Sequence, residues 1–482
     1  MTTTQLASAA VLALFIATHL PAQAPIMAQV TPPISESELV RRLQSRVDSL
    51  TAKEQFSGVV LLARDGHVVF ERPYGYADRE SKRRTTIETA FNYSSIGKLF
   101  TQAAIWQLVS AGKLDADSTI GKYWPDFPNR DVARTVTIRQ LLDHRSGVGG
   151  DIFDVPAGGT RADVRTMNDY VSLVAAAPKH FVAGTKQEYS NAGYALLGGL
   201  IERVSGEDYY SYVTKHVLEP AGLHHTAWYF SGDLPANAAI GYTRSGPDGD
   251  DPDPRAPLHR NSKILPGRGS SAGGGYSTVG DLARFVTALR QANIAGFSKV
   301  KHGATAGGSP GSNGIVEEGL PGGYDIIVLS NFDPPAALQI SGTVRNWLMG
   351  RPADAPDSRM RIGAGGPPAS VPGQPLDFTR TAAGRAADRY LRAFNSGDEA
   401  NMRAFFETET VPNPARTTES RLESYRTIHG DLGNLTPLSI DASSETEISI
   451  TVHPAKAPDA TLIISVEPAP PGRIVSIRYE AR

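Results

Sequence analysis

Apolar residues along this chain change their spacing several times, and each change marks an element. A polar stretch from Ser35 to Ala52 reads as a helix. Phe56 to Arg64 reads as a strand, Asp65-Gly66 as a tight turn and His67 to Glu71 as the returning strand. From Ser95 to Ser110 the period becomes helical: Ile96, Leu99, Phe100, Ala103 and Leu108 form an apolar stripe, and Gly112 stands where a helix stop belongs. Val136 to Leu142 leads into a helix and then the loop His144-Arg145-Ser146-Gly147. Asn191 to Val204 is a second apolar helix closed near Gly206, and Asp281 to Leu289 a third. Tyr324 to Asn331 reads as a buried strand and Ala336 to Leu348 as a closing helix. A hairpin first, helices in the middle and strands with a helix last predict an α+β domain in which a mainly antiparallel sheet packs on helices.

The pattern lapses from Arg351 to Pro375, a Pro-, Gly- and Ala-rich stretch that reads as a linker. It resumes at about Leu376 in a different style. Arg380 to Phe394 is an amphipathic helix, Asn395-Ser396-Gly397-Asp398 breaks it, and a second helix runs to about Glu407. Alternating strands follow at Glu447–Val452, Thr461–Glu467 and Arg473–Glu480. At the other end, Leu6 to Leu20 is an apolar run of signal-peptide length, with an Ala-x-Ala site at Ala22-Gln23-Ala24 and a second cleavage point after Ala28. Its leading MTTTQ lacks the usual Lys or Arg. The predicted organisation is a signal peptide at 1–28, a main domain at 35–350, a linker at 351–375 and a second domain at 376–482. It predicts an exported protein, periplasmic or secreted, with no stable membrane span after processing.

Composition narrows the chemistry. A formal net charge of -2 over 482 residues gives no basic surplus for nucleic acid or anionic membrane. The absence of cysteine removes disulfides, thiolate catalysis and Cys-ligated zinc. No group of histidines and carboxylates has metal-ligand spacing, and His144 and the pair His224-His225 read as surface or loop residues. Asn92-Tyr93-Ser94 fits a glycosylation sequon but abuts the candidate nucleophile described next, and reads as coincidence.

A serine needs a neighbour to take its proton before it attacks a carbonyl. Ser95 and Lys98 lie three apart at a predicted helix start, so their side chains share a face. Lysine serves there as base once burial or positive surroundings lower its pKa, and free N–H groups of the first turn can receive an oxyanion. Ser-x-x-Lys occurs three times, but Ser110 falls at a helix end and Ser298 in a short link. Tyr189-Ser190-Asn191, the single Tyr-x-Asn, precedes an apolar helix. It offers a tyrosine to relay a proton to the leaving group and an amide to hold the lysine and a substrate.

These motifs, with the strings GKLDADSTIGKYWPDFP, TIRQLLDHRSGVGG, FVAGTKQEYSNAGYALLGGLIERVSG and AGGGYSTVGDLARFVTAL, resemble the serine β-lactamase and penicillin-binding-protein superfamily, its class C and esterase-like branch especially. The resemblance runs from about residue 38 to 350. It implies a β-lactamase/transpeptidase-like antiparallel sheet with a helical subdomain, and an acyl-enzyme on Ser95 without metal or cofactor. Its substrate is a small molecule or peptide with an ester, amide or β-lactam bond. The family's third motif, Lys-Thr-Gly or His-x-Gly on a strand opposite the nucleophile, has two registers here. Lys301-His302-Gly303-Ala304 supplies a cation, with the oxyanion N–H on Ala304. Counting back from Ser309-Pro310-Gly311-Ser312-Asn313 puts Thr305 in the cation position and Gly308 on the oxyanion. The first is preferred, the extra glycines being absorbed as a bulge. Only Arg290 to Val300 separates the third helix from this motif, shorter than the family's usual segment, which leaves a catalytically weak or dead binding protein as the alternative. The remaining contender, an α/β-hydrolase elbow at Ser271 or Ser309 in Gly-x-Ser-x-Gly, lacks the strand before and helix after that such an elbow needs. Downstream, two helices and a curved antiparallel sheet, opening on YLRAFNSGDEANMRAFF, resemble the nuclear-transport-factor-like (SnoaL-like) cone. That implies an α+β domain without hydrolytic chemistry that binds a small ligand or supports a homodimer.

Overall fold

The computed structural model describes residues 34–481, apart from 156–158, 247–251, 253–255, 356–375, 377, 380, 413–416, 444–445, 458–459 and 468–471. The expected signal peptide and all of the expected linker beyond Ala355 lie outside the described residues. The chain divides into two compact units, Met1–Asp357 and Ser358–Arg482.

The first unit is built around a sheet covered on both faces. Helix α1 (Glu36–Ala52) is capped by Ser35 and lays Leu39, Leu43, Val47 and Leu50 on one face. Strand β1 (Gly58–Arg64) alternates its side chains, Val60 and Leu62 toward α1 and Val59, Leu61 and Ala63 toward the opposite core. Asp65-Gly66 turns it into β2 (His67–Tyr74). On the opposite face lie α2 (Lys98–Ser110), α3 (Asn191–Ser205) and α4 (Val279–Gln291). Strands β3 (Ala304–Ser309), β4 (Ser312–Leu320) and β5 (Tyr324–Ser330) complete an antiparallel sheet of order β2-β1-β5-β4-β3, so β3 is an edge. Helix α5 (Ala336–Leu348) returns to the α1 face.

Two expectations are refined here. The helix expected from Ser95 begins as a 3-10 turn, Ser94–Gly97, and becomes α-helical at Lys98, because Ser94 stands in the left-handed region at φ 47°. Nor is that helix a one-sided stripe: Lys98, Thr101 and Gln102 are buried along with the apolar positions. The short segment before β3 turns its Phe297 into the core, edge-on to Phe285.

In the second unit, α6 (Ala382–Asn395), α7 (Glu399–Glu409) and α8 (Thr418–Leu432) accompany a four-stranded antiparallel meander. Its strands are β6 (Leu435–Ser443), β7 (Glu447–Pro454), β8 (Ala460–Val466) and β9 (Ile474–Ala481). Ala386, Tyr390 and Phe394 of α6 pack with Ile448, Ile450, Leu462 and Ile464. Helix α8 and strand β6 were not expected. Of α8 only Leu422 and Tyr425 are buried, too few to imprint a helical period, and β6 carries Pro437 and two register shifts.

Candidate active site

The nucleophile turn is wedged between buried aromatics and glycine backbone. Tyr93 is fully buried, edge-on to Phe100 and Trp228. Asn92 Oδ1 accepts the Ser94 N–H at 2.9 Å, an Asx arrangement that holds Ser94 in its left-handed conformation. Ser95 follows, half-buried, at the start of the turn that leads into α2. Gly273, at φ 136°, lies so close that an added Cβ would sit 2.0 Å from the Ser94 carbonyl oxygen.

Lys98 Nζ stands 3.2 Å from Ser95 Oγ, 2.7 Å from Asn191 Oδ1 and 2.7 Å from the Ala272 carbonyl oxygen. The amine also lies 4.7 Å over the Tyr189 ring centre and 5.4 Å over that of Tyr194. Burial pushes its pKa well below the ordinary lysine value. A neutral amine has two protons and one lone pair. With the protons given to Asn191 and Ala272, the lone pair is left for Ser95. Tyr189 completes the proton arrangement: its hydroxyl donates to Ser95 Oγ at 2.7 Å, which leaves the serine's own proton free to point at Lys98. Burial of the Tyr189 hydroxyl raises its pKa to about 12, against the opposing hydrogen bond to Ser95, so it stays a phenol. Asn191 owes its place to the Ser190 cap, whose hydroxyl accepts the Gly193 N–H at 2.9 Å and starts α3 there.

Opposite Ser95 stands the edge strand β3. An added Cβ on Gly307 would fall 2.3 Å from the Tyr93 carbonyl oxygen and 3.0 Å from the Ser95 nitrogen, so strand and nucleophile turn meet there backbone to backbone. Ser309 pairs with Ser312 across Pro310-Gly311, with Gly311 at φ 74° as that turn requires. Since the closing pair of a two-residue hairpin exchanges its hydrogen bonds and the pattern alternates, the Gly308 N–H points away from β4, toward the open edge. Three hydroxyls tie the two parts together: Ser94 Oγ lies 2.6 Å from Ser312 Oγ and 3.2 Å from Ser309 Oγ, which are 2.9 Å apart.

The preferred register of the third motif is therefore corrected. The β3–β4 ladder runs from Ser309–Ser312 to Ala304–Glu317 without a bulge, so no glycines are absorbed. Ala304 lies three residues beyond Gly307, about 10 Å along the strand. Gly303 and His302 turn to Glu318, through the Gly303 N–H at 3.3 Å and His302 Nδ1 at 3.1 Å. Lys301 Nζ pairs with Asp143 at 3.1 Å, and its backbone N–H donates to Gln102 Oε1. Its charge is felt by His144 but does not sit on the strand opposite Ser95. Ser271, the other Gly-x-Ser-x-Gly serine, is fully buried and donates to the Tyr194 carbonyl.

His144 was read as a surface or loop residue. It does stand on a loop, yet its ring stacks on Tyr189 at 4.7 Å and tilts against Tyr194 at 5.1 Å. The only sequence signal for it was its place in TIRQLLDHRSGVGG. Among the described residues no group of three or more His, Asp or Glu could hold a metal ion, and no helix is long and apolar enough to cross a membrane.

Comparisons with known proteins bear on the family and the fold. The profile of the family described as Beta-lactamase matches residues 43–364. The PbpX protein of Bacillus subtilis (strain 168) is 31% identical over 196 residues, 40% of this chain and 46% of that one, so the match spans less than half of the relative's length. A solved penicillin-binding protein from Bacillus halodurans is 27% identical with a TM-score of 0.53, covering 63% of this chain and 97% of that one. D-amino acid amidase from Ochrobactrum anthropi SV3, at 22% identity and a TM-score of 0.51, shares the fold over 61% of this chain and 92% of its own.

Proposed function

Because the chain belongs to the β-lactamase family of serine hydrolases, we propose that it hydrolyses or transfers neutral ester or amide acyl groups through an acyl-enzyme on Ser95. One observation carries the reading: a single oxygen, Ser95 Oγ, lies within hydrogen-bond reach of both Lys98 Nζ and the Tyr189 hydroxyl. The neutral Lys98 takes the serine proton as Oγ bonds to the substrate carbonyl carbon. The Ser95 and Gly308 N–H groups receive the negative charge that grows on the carbonyl oxygen. As the carbon–heteroatom bond breaks, Tyr189 gives its proton to the leaving group, and the proton held by Lys98 restores the balance. Water then repeats the sequence to release the acid. Asn191 holds Lys98 and presents its amide to the substrate.

The preference for an uncharged acyl group rests on the corrected register, which leaves Thr305 where a strand cation would stand and Lys301 paired with Asp143. The N-terminal apolar run supports an exported enzyme, for which the secreted protein's first residue should be Pro25 or Gln29 by sequencing. Three helices on a four-stranded meander support a cone-like second unit.

A fluorophosphonate label, followed by mapping of the modified peptide, tests the reading. It should attach to Ser95 and be lost in Ser95→Ala, with hydrolysis of a p-nitrophenyl ester lost in parallel by many orders of magnitude. A chain ending at Gly350 should label equally. Labelling of Ser271 or Ser309, or none at all, would overturn it.

A further inference from the structure

Tyr189 sits on an exposed loop rather than inside a helix or strand, with about half of its surface open. A proton donor in such a place needs something to hold it, because a displacement of about 1 Å at a reacting centre can cost a hundredfold in rate. We propose that His144 is the positioning residue for Tyr189, gripping it from both sides in sequence and across its face, and so setting the proton transfer to the leaving group.

Three contacts carry the inference. The His144 carbonyl accepts the Glu188 N–H at 2.8 Å, just before Tyr189. Its ring Nδ1 accepts the Ser190 N–H at 3.1 Å, just after Tyr189. Between these two anchors the imidazole lies stacked on the phenol, with an interplanar angle of 30°. One residue thus fixes the backbone on each side of Tyr189 and the plane of its ring. The grip continues outward, the Gly184 N–H bonding the Arg145 carbonyl and the His180 N–H the Gly147 carbonyl, each at 2.8 Å, so the two loops are zipped together. The left-handed backbone of His144, at φ 56°, points the same residue's carbonyl and ring at adjacent N–H groups. A ring nitrogen that accepts must be unprotonated. Burial, with the positive charges of Lys98 and Lys301, lowers the His144 pKa to about 3, and the acceptor is available throughout the neutral range.

The proposal rests on the acyl-enzyme reading, and one set of variants separates the two. An alkyl ester, with a poor leaving group, needs the Tyr189 proton; a p-nitrophenyl ester scarcely does. His144→Ala should lower kcat on the alkyl ester by about a hundredfold with little change in KM, and on the p-nitrophenyl ester by under about tenfold. His144→Asn keeps a hydrogen-bond acceptor and suits positive φ, and should recover most of the loss. In a Tyr189→Phe background neither substitution should lower kcat further, since a residue that acts through Tyr189 has nothing left to position. If His144→Ala does not fold, His144→Phe, which keeps a stacking ring and loses the acceptor for the Ser190 N–H, takes its place in the cycle. If wild type labels at Ser95 but the His144 and Tyr189 effects multiply, or if His144→Ala keeps wild-type kcat on the alkyl ester, the positioning role is overturned. If wild type does not label at Ser95, the acyl-enzyme reading falls first and this inference with it.

Discussion

Two basic side chains of the first unit are buried alike, each 4% exposed, in opposite company. Arg345 of α5 forks onto Glu317 of β4, with Nε 2.6 Å from Oε1 and a second N–H on Oε2, where the Ser341 hydroxyl joins it. Lys98 of α2 meets two carbonyl oxygens, a serine hydroxyl and two tyrosine rings; among the described residues no carboxylate pairs with it. The desolvation cost is similar in kind. With a carboxylate alongside, it is offset and the result is a fixed cross-link between strand and helix. Without one, burial lowers the amine's pKa and favours the neutral form that a base requires. Carbonyl acceptors and aromatic faces steady the amine, but they do not match the full charge. What distinguishes a structural cation from a chemical one here is the presence of a buried carboxylate, not the degree of burial.

Removing each side chain should therefore do opposite things. Lys98→Met should lower turnover on the order of 10⁴-fold or more while the thermal midpoint holds or rises, because an apolar chain of similar length replaces an uncompensated buried amine. Arg345→Met should leave turnover per folded molecule unchanged and cost about 3–5 kcal/mol of stability, since Glu317 is left buried and charged. Adding Glu317→Leu to it should restore much of that. Thermal melts and single-turnover assays read both. A Lys98→Met protein as destabilised as Arg345→Met would mean that Lys98 is structural after all.

The contrast also explains what could be read from the sequence. Ser95 and Lys98 were legible because three residues along a helical turn fix their geometry, and Tyr189 and Asn191, 93 to 94 residues away, because a Tyr-x-Asn motif stands before a capped apolar helix. The strand at 301–308 was not. Lysine and histidine at Lys301-His302 imitate a cationic motif, but register is set by what fits against the nucleophile turn, and only the bare backbone at Gly307 does. His144 escaped notice because no motif of its own ties it to its partners, which lie 44 to 46 residues away at Glu188 and Ser190. Strands β1, β2 and β5 of the first unit followed from apolar runs and turn signals, whereas the Gly-rich β3 and β4, like α8 and β6 of the second unit, polar or interrupted, left no period to read.

The protonation of Lys98 predicts two pH dependences of intermediate size. The rate on a neutral ester should climb as pH rises through the lowered Lys98 pKa and then level off, because the neutral amine is the base. Tyr189, raised to about 12, and His144, lowered to about 3, each keep one protonation state between those values. Stability moves the same way. Between the lowered folded value and the unfolded value of about 10.4 the unfolded chain carries the extra proton, so stability from this group is full above that range. It is lost as pH falls toward the folded pKa, at up to about 1.4 kcal/mol per pH unit. Lys98→Met should remove that slope and Arg345→Met should not, as denaturant melts across pH would show. Equal slopes in wild type and Lys98→Met would mean that the buried amine keeps its proton.

The smallest expected effect belongs to the lysine–histidine pair that imitates the third motif. Lys301 is 55% exposed at its side chain and paired with Asp143, and His302 is 47% exposed and paired with Glu318. Exposed pairs of this kind contribute about 0–1 kcal/mol, and neither side chain is on the strand segment that touches the nucleophile turn. Replacing both with alanine should therefore cost less than about fivefold in kcat/KM, the factor that 1 kcal/mol allows. It should cost the same on a p-nitrophenyl ester with a free carboxylate as on its neutral counterpart. If those side chains receive a substrate carboxylate, the charged ester alone should suffer, by a factor of ten or more, because a charge-assisted hydrogen bond is worth about 1.5–3 kcal/mol. That outcome would return the oxyanion strand to Lys301–Ala304 and require β3 to slide by several residues when substrate binds. Equal small losses would leave Lys98, neutral in its working state, as the basic side chain that acts at this site.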